Sequence, residues 1–187
     1  MLGEHLDEFV MAYLDDIIIY SETEKEHYEH VKWVLQRLVD ERMLVAIEKC
    51  EFHMTKTEFC GFIMELGKLS IDPKKIEAVL EWQRPSNVTE LRSFLGFCNY
   101  CRRFMKYWLD KIELFTKLTR KDEPWIWGQE QELLFKEIKD LFTKELVLRI
   151  YVPSLPTKVE TNASDYVLGA YLAQLHLDRW HLVAYYS

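Results

Sequence analysis

The sequence predicts an α+β fold in the order hairpin, helix, small sheet, helices and a final sheet. Three observations predict it. Short runs rich in Val, Ile, Tyr and Phe stand near both ends, where they suit strands. The middle of the chain repeats its apolar residues at helical spacing. Cap and turn residues separate these segments at the points where each element should start or stop.

The first segment, Phe9 to Tyr20, reads as two short apolar strands flanking an acidic turn, Asp15-Asp16. Ser21 or Thr23 can cap a helix through about Glu41, with Val31, Val34, Leu35, Leu38 and Val39 on one face. Short β-like pieces follow at Leu44–Ile47, Phe59–Met64 and Lys68–Ile71, with Gly67 turning the chain between the last two. Asp72-Pro73 opens a short helix as N-cap and first-turn proline. Asn87 and Glu90 stand three apart, as in a capping box, and start a helix expected to run to residue 106. Its apolar face is Leu91, Phe94, Leu95, Cys98, Cys101, Met105 and Trp108. At 100° per residue, Arg92, Asn99, Arg103 and Lys106 fall together on another face. Further helices are expected at 110–119 and 129–144, then strands at 157–162, 166–174 and 180–186.

Composition excludes several classes. Hydrophobic residues make up 49% of 187, too many for a disordered chain. No apolar run approaches the ~20 residues of a membrane span, and the start lacks a secretory pattern. Four cysteines without that pattern point to free thiols in a reducing compartment. The net charge of −7 alone argues against nucleic acid, but it is unevenly distributed. Residues 1–83 hold 9 basic and 18 acidic side chains, 84–121 hold 9 and 3, and 122–187 hold 6 and 10. The +6 stretch is a candidate polyanion contact.

Adjacent carboxylates on a turn repel, and a divalent cation would remove that repulsion. Mg²⁺ takes oxygen ligands and is commonly held by one or two carboxylates plus substrate phosphates. Aspartate is also simply a good turn former. The flanking residues add a resemblance. Tyr13-Leu14-Asp15-Asp16 between apolar strands resembles the polymerase signature of reverse transcriptases. Lys49-Cys50-Glu51-Phe52, Glu58-Phe59-Cys60-Gly61-Phe62, and Trp82 with Arg84-Pro85 and Asn87-Val88 follow in order. Then come Glu90-Leu91-Arg92-Ser93-Phe94-Leu95-Gly96, Asn99-Tyr100 and Arg102-Arg103-Phe104. The succession is similar to Gypsy-type long-terminal-repeat retrotransposon (Metaviridae) Pol polyproteins. Val159-Glu160-Thr161-Asn162-Ala163-Ser164-Asp165-Tyr166 resembles the start of their linked ribonuclease H domain.

The resemblance implies an organisation and a function. Residues 1–72 would be the carboxy-terminal part of the palm, 73–146 a helical thumb with linker helices, and 147–187 the first strands of an incomplete RNase H-like sheet. Asp15 and Asp16 would be polymerase metal ligands for Mg²⁺, with binding weak or absent in this fragment alone, beside Tyr13 and Leu14 at the primer end. Arg92, Asn99, Arg103 and Lys106 would contact an RNA–DNA or DNA template–primer duplex. The rest of the Pol polyprotein would be a second partner, with no membrane, in an intracellular location such as a virus-like particle or the nucleus. The pattern also departs from the family. Its third polymerase Asp has no counterpart among Glu4, Asp7 and Glu8, and its first ribonuclease H Asp falls on Asn162. Asp165 matches a position outside the metal site, and Phe62 and Cys101 stand where the family usually has His and Tyr. These 187 residues alone are therefore expected to lack polymerase and ribonuclease H activity. The alternative is a non-catalytic nucleic-acid-binding or protein-interaction module from a decayed or co-opted element.

Three other features resemble sites. Cys98-x-x-Cys101 sits on an apolar helix face and reads as buried thiols rather than a zinc knuckle. His27 and His30 share a helix face with acidic neighbours. Trp125-Ile126-Trp127 reads as a core wedge rather than a base-stacking platform.

Overall fold

A computed structural model describes residues 2–3, 5–144, 146–163 and 168–187. Glu4, Asp165 and the first two residues of the expected strand 166–174 lie outside the described residues. The chain divides into two units, Met1–Leu66 and Gly67–Ser187.

In the first unit, Val10–Tyr13 (β1) pairs antiparallel with Asp16–Ile19 (β2), Val10 opposite Ile19 and Tyr13 opposite Asp16. Helix α1 (Glu24–Asp40) follows, and Thr23 is the residue that caps it. The Thr23 hydroxyl accepts from the Glu26 N–H and the Glu26 carboxylate accepts from the Thr23 N–H, a reciprocal box. Of the predicted apolar face, Val34 and Leu38 are buried, packing with Leu2, Val10 and the flanking Phe9, Ile17, Ile19 and Trp33. Leu35 and Val39 are exposed instead.

The small sheet differs from the expectation. Leu44–Ile47 forms no strand, because isolated β-segments have nothing to pair their backbone with. Leu44 is fully exposed and Ile47 opens a 3₁₀ turn, Ile47–Lys49. The expected strand Phe59–Met64 is instead a hairpin of Lys56–Phe59 (β3) and Phe62–Glu65 (β4). Its two loop residues, Cys60 and Gly61, both have positive φ, 50° and 68°. That is the arrangement whose twist suits a two-residue hairpin.

The second unit begins with Lys68–Ile71 (β5), which pairs with Val147–Arg149 (β6), a strand the sequence did not announce. Helix α2 (Pro73–Glu81) starts where Asp72 accepts from the Lys74 N–H. Helix α3 (Val88–Tyr100) starts at Asn87, whose side-chain oxygen accepts from the Glu90 N–H. It stops six residues short of the expected end. Cys101 leaves helical geometry, Arg102–Phe104 is a 3₁₀ turn and Tyr107 is left-handed. Tertiary packing overrides the helical periodicity here: the tightened chain buries Phe104, Met105 and Trp108 together. Short helices α4 (Trp108–Lys111) and α5 (Glu113–Leu118) and the longer α6 (Gln129–Phe142) complete the helical layer. Its core includes Leu91, Phe94, Trp108, Phe115, Phe135 and Ile138, each at most 4% exposed. Full burial of one such side chain contributes roughly 1.5–3 kcal/mol.

The unit ends in an antiparallel sheet of Thr157–Ala163 (β7), Leu168–His176 (β8) and Arg179–Tyr186 (β9), in that order. Gln174 of β8 is fully buried. Its Oε1 accepts from the Val152 N–H and its Nε2 donates to the Val152 carbonyl and the Thr157 hydroxyl, each at 2.8 Å. No helix among the described residues is long and apolar enough to cross a membrane.

Candidate catalytic and nucleic-acid-contact residues

The β1–β2 hairpin carries Tyr13-Leu14-Asp15-Asp16 at its tip. The loop residues are Leu14 and Asp15, so the turn is displaced by one from the expected Asp15-Asp16. Asp16 already belongs to β2 and faces Tyr13 across the ladder. All four side chains are exposed, Leu14 at 89% and Tyr13 at 60%. Leu14 has φ 53°, a left-handed conformation that is sterically unfavourable for a bulky L-residue. Such strain persists only where its surroundings enforce it, and it concentrates at functional turns.

The carboxylates that precede the hairpin do not join this pair. Asp7 and Glu8 precede β1 at the opposite end of the hairpin, where both charges raise the Tyr20 hydroxyl above its ordinary range, after the larger effect of burial. A four-residue strand separates the two ends by roughly 13 Å. Among the described residues, no three His, Cys, Asp or Glu side chains gather to hold a metal ion. Asp15 and Asp16 are hard oxygen donors of the right kind for Mg²⁺, but two carboxylates are an incomplete set for a two-ion centre.

The expected basic stripe of the second unit divides into two pairs. Arg92 and Asn99 lie on α3 and use their polar groups within the protein. The Arg92 guanidinium donates to the Thr119 carbonyl at 2.6 Å, joining α3 to the end of α5. The Asn99 side-chain oxygen accepts the indole N–H of fully buried Trp108 at 2.5 Å. Arg103 is exposed on the 3₁₀ turn and Lys106 is exposed beyond it. The premature end of α3 therefore removes Arg103 and Lys106 from the helix face on which periodicity had placed them.

Asn162 lies on β7 opposite Gly169, with its side chain exposed. Successive alternate residues Lys158, Glu160 and Asn162 share one face of that strand. Lys158 donates to the Glu160 carboxylate. That bond, with a second from Tyr171, holds the carboxyl below its ordinary range. Lys158 and Glu160 were not singled out from the sequence, although their two-residue alternation with Asn162 is the signal that would have grouped them.

Three features weighed in the sequence have structural accounts. Cys98 and Cys101 are fully buried, and burial raises both thiols, Cys101 to about 11, which leaves them protonated. The His27 and His30 rings both place Nδ1 on the Ser21 hydroxyl, at 3.2 and 2.7 Å. Trp127 is half-buried against the core, stacks on Phe115 with ring centroids 5.4 Å apart and donates its indole N–H to Glu132, while Ile126 is exposed.

Known proteins match this chain along its length. Residues 1–64 match the family described as reverse transcriptase (RNA-dependent DNA polymerase), and residues 127–187 match the RNase H-like domain found in reverse transcriptase. The Tf2-3 and Tf2-7 transposon polyproteins of Schizosaccharomyces pombe are 37% identical over 188 aligned residues. The alignments cover 100% of this chain and 14% of each polyprotein, so the chain spans about a seventh of these relatives. Among solved structures, the foamy viral protease-reverse transcriptase in complex with dsDNA superposes with TM-score 0.78 at 22% identity, covering 99% of this chain and 39% of that one. The same viral protein in complex with RNA/DNA hybrid gives TM-score 0.76 at 22% identity, covering 94% and 24%. At that identity the likeness is one of fold. Whole-length homology and fold together make this chain a segment of retrotransposon polyprotein from the reverse transcriptase and RNase H-like family.

Proposed function

We propose that the chain is the palm-to-RNase H segment of an RNA-directed DNA polymerase that holds a template–primer duplex. The observation that supports this most directly is the exposed Tyr13-Leu14-Asp15-Asp16 tip, two carboxylates on a strained tight turn. In this reading residues 1–72 belong to the palm, 73–146 to the thumb and its linker, and 147–187 to the RNase H-like sheet. Asp15 and Asp16 are the residues that would hold Mg²⁺ once the rest of the ligand set is supplied, and the ion would then neutralise phosphate charge in the transfer. Tyr13 and Leu14 border the primer end. Arg103 and Lys106 provide the charge that meets the duplex backbone, while Arg92 and Asn99 shape the thumb that presents it. The remaining polyprotein is the other partner, and the setting is intracellular.

The test is binding of the 187-residue chain to a fluorescently labelled RNA–DNA hybrid, followed across a salt titration. Reversal of one phosphate-contacting charge, as in Arg103→Glu, should weaken binding uniformly across sequences and reduce the salt slope by about 1. Unchanged binding in that variant, or none in the parent chain, would remove the thumb reading.

A second reading is supported by Asn162. At the position where the family has an acidic ligand, a neutral amide is a poor bridge between two cations. The chain would then serve as a non-catalytic nucleic-acid-binding or protein-interaction module. Hybrid binding without RNA cleavage fits both readings, and polymerisation by the parent polyprotein separates them.

A further inference from the structure

One face of the β7–β8–β9 sheet carries an open groove of about 320 Å³, of which the duplex reading uses only Lys106. Tyr171 on β8 and Trp180 and Tyr185 on β9 provide its aromatic surface, and Lys158 on β7 and Lys106 border it. The rings are arranged as a platform. Tyr171 and Tyr185 are directly opposed across β8 and β9, with centroids 6.3 Å apart and planes at 68°. Trp180 is 46% exposed, unusual for so large an apolar ring.

The charged groups show which chemistry the groove accepts. The Lys158 ammonium stands 4.8 Å from the Trp180 ring centroid and also pairs with the Glu160 carboxylate. Glu160 additionally bonds to the Tyr171 side chain and feels the charge of Lys106. Two ammonium groups and a phenol thus surround one carboxylate of the chain itself. That is an anion-binding arrangement holding an intramolecular anion, beside rings that can take a flat apolar partner.

We propose that this groove binds single-stranded nucleic acid, with phosphates paired to Lys106 and Lys158 and a base stacked on Trp180. Lys158 leaves the ring for the phosphate as the base arrives, and Glu160 gives up its place as the bound anion. Alternation of cationic and aromatic groups is what sequence-tolerant binding of a single strand requires. An acidic peptide would satisfy the lysines and leave the three rings without a planar partner. The inference shares Lys106 with the duplex reading and otherwise rests on Lys158, Tyr171, Trp180 and Tyr185, which that reading does not use.

The experiment measures anisotropy of a labelled 12-nucleotide oligo(dT) with the full 187-residue chain at low salt, with circular dichroism to confirm folding of each variant. Trp180→Ala should weaken binding about 5- to 150-fold, the range of one lost base–aromatic stack. Lys106→Ala should weaken it and flatten its salt dependence. Glu160→Gln, which removes the competing anion, should strengthen it. Trp180→Ala should leave hybrid binding within about twofold while weakening oligo(dT) binding, which separates this site from the thumb. Equal affinity of Trp180→Ala and the parent chain, weaker binding by Glu160→Gln, or preference for an acidic peptide over oligo(dT) would each overturn the proposal.

Discussion

Asn99 shows how a residue of a recognisable pattern can serve the fold first. Its amide oxygen is the partner of the Trp108 indole N–H, and Trp108 is among the largest fully buried side chains. Asn99→Leu leaves that N–H without an acceptor, and a buried donor without a partner costs about 1–3 kcal/mol. The expected result is a fall of several degrees in the Tm of the second unit, read by thermal denaturation. The variant should lose hybrid affinity only to the extent that it loses fold. Arg92 invites the same comparison, since its guanidinium already meets the Thr119 carbonyl. Among the four residues first grouped as a stripe, Arg103 should show the largest effect on the salt dependence of binding and the smallest on Tm.

At the scale of elements, α1 ties the first unit together and carries its pH response. Removing the Thr23 hydroxyl breaks half of the capping box, and Thr23→Ala should destabilise this unit by about 1 kcal/mol in chemical denaturation. Near the start of the helix, burial first, then the neighbouring His53 and His30, lower the His27 pKa. The folded state therefore binds a proton at His27 less readily than the unfolded chain does. Stability of this unit should fall as pH drops through the ordinary imidazole range, and flatten once the folded state protonates as well. Denaturation midpoints measured between about pH 5 and 8 should slope less in His27→Gln. These elements also show what the sequence could reveal. Caps were legible because Thr23, Asp72 and Asn87 satisfy helix N–H groups through local chemistry. The end of α3 was not, because it is set by Trp108 reaching back to Asn99. Strand β6 was hidden for a similar reason: it forms by pairing with β5, nearly eighty residues earlier in the chain. At the hairpin tip, the residue types announced a site, but the left-handed Leu14 and the one-residue displacement of the turn required the backbone.

For the whole molecule, the distribution of charge matters more than its sum. The net −7 conceals a +6 stretch at 84–121, so binding to a polyanion should be local and steeply dependent on salt. Catalysis is a different matter, because a two-ion transfer needs more carboxylates than Asp15 and Asp16 supply. The isolated chain, given Mg²⁺, deoxynucleotides and a primed template, should extend no primer above a no-protein control. Any extension abolished by Asp15→Asn would show that the hairpin alone assembles a working centre. The Gln174 amide bears on how such a molecule finds its final arrangement. Pleating lets β8 slide by two residues without changing which face is buried. Such a slip would bring Leu172 or His176 to Val152 in place of Gln174. Leucine offers no hydrogen bond, and an imidazole lacks the side-by-side donor and acceptor of an amide. Gln174 thus works as an index mark on β8, by which the folding chain can distinguish the correct alignment from its nearest imitations.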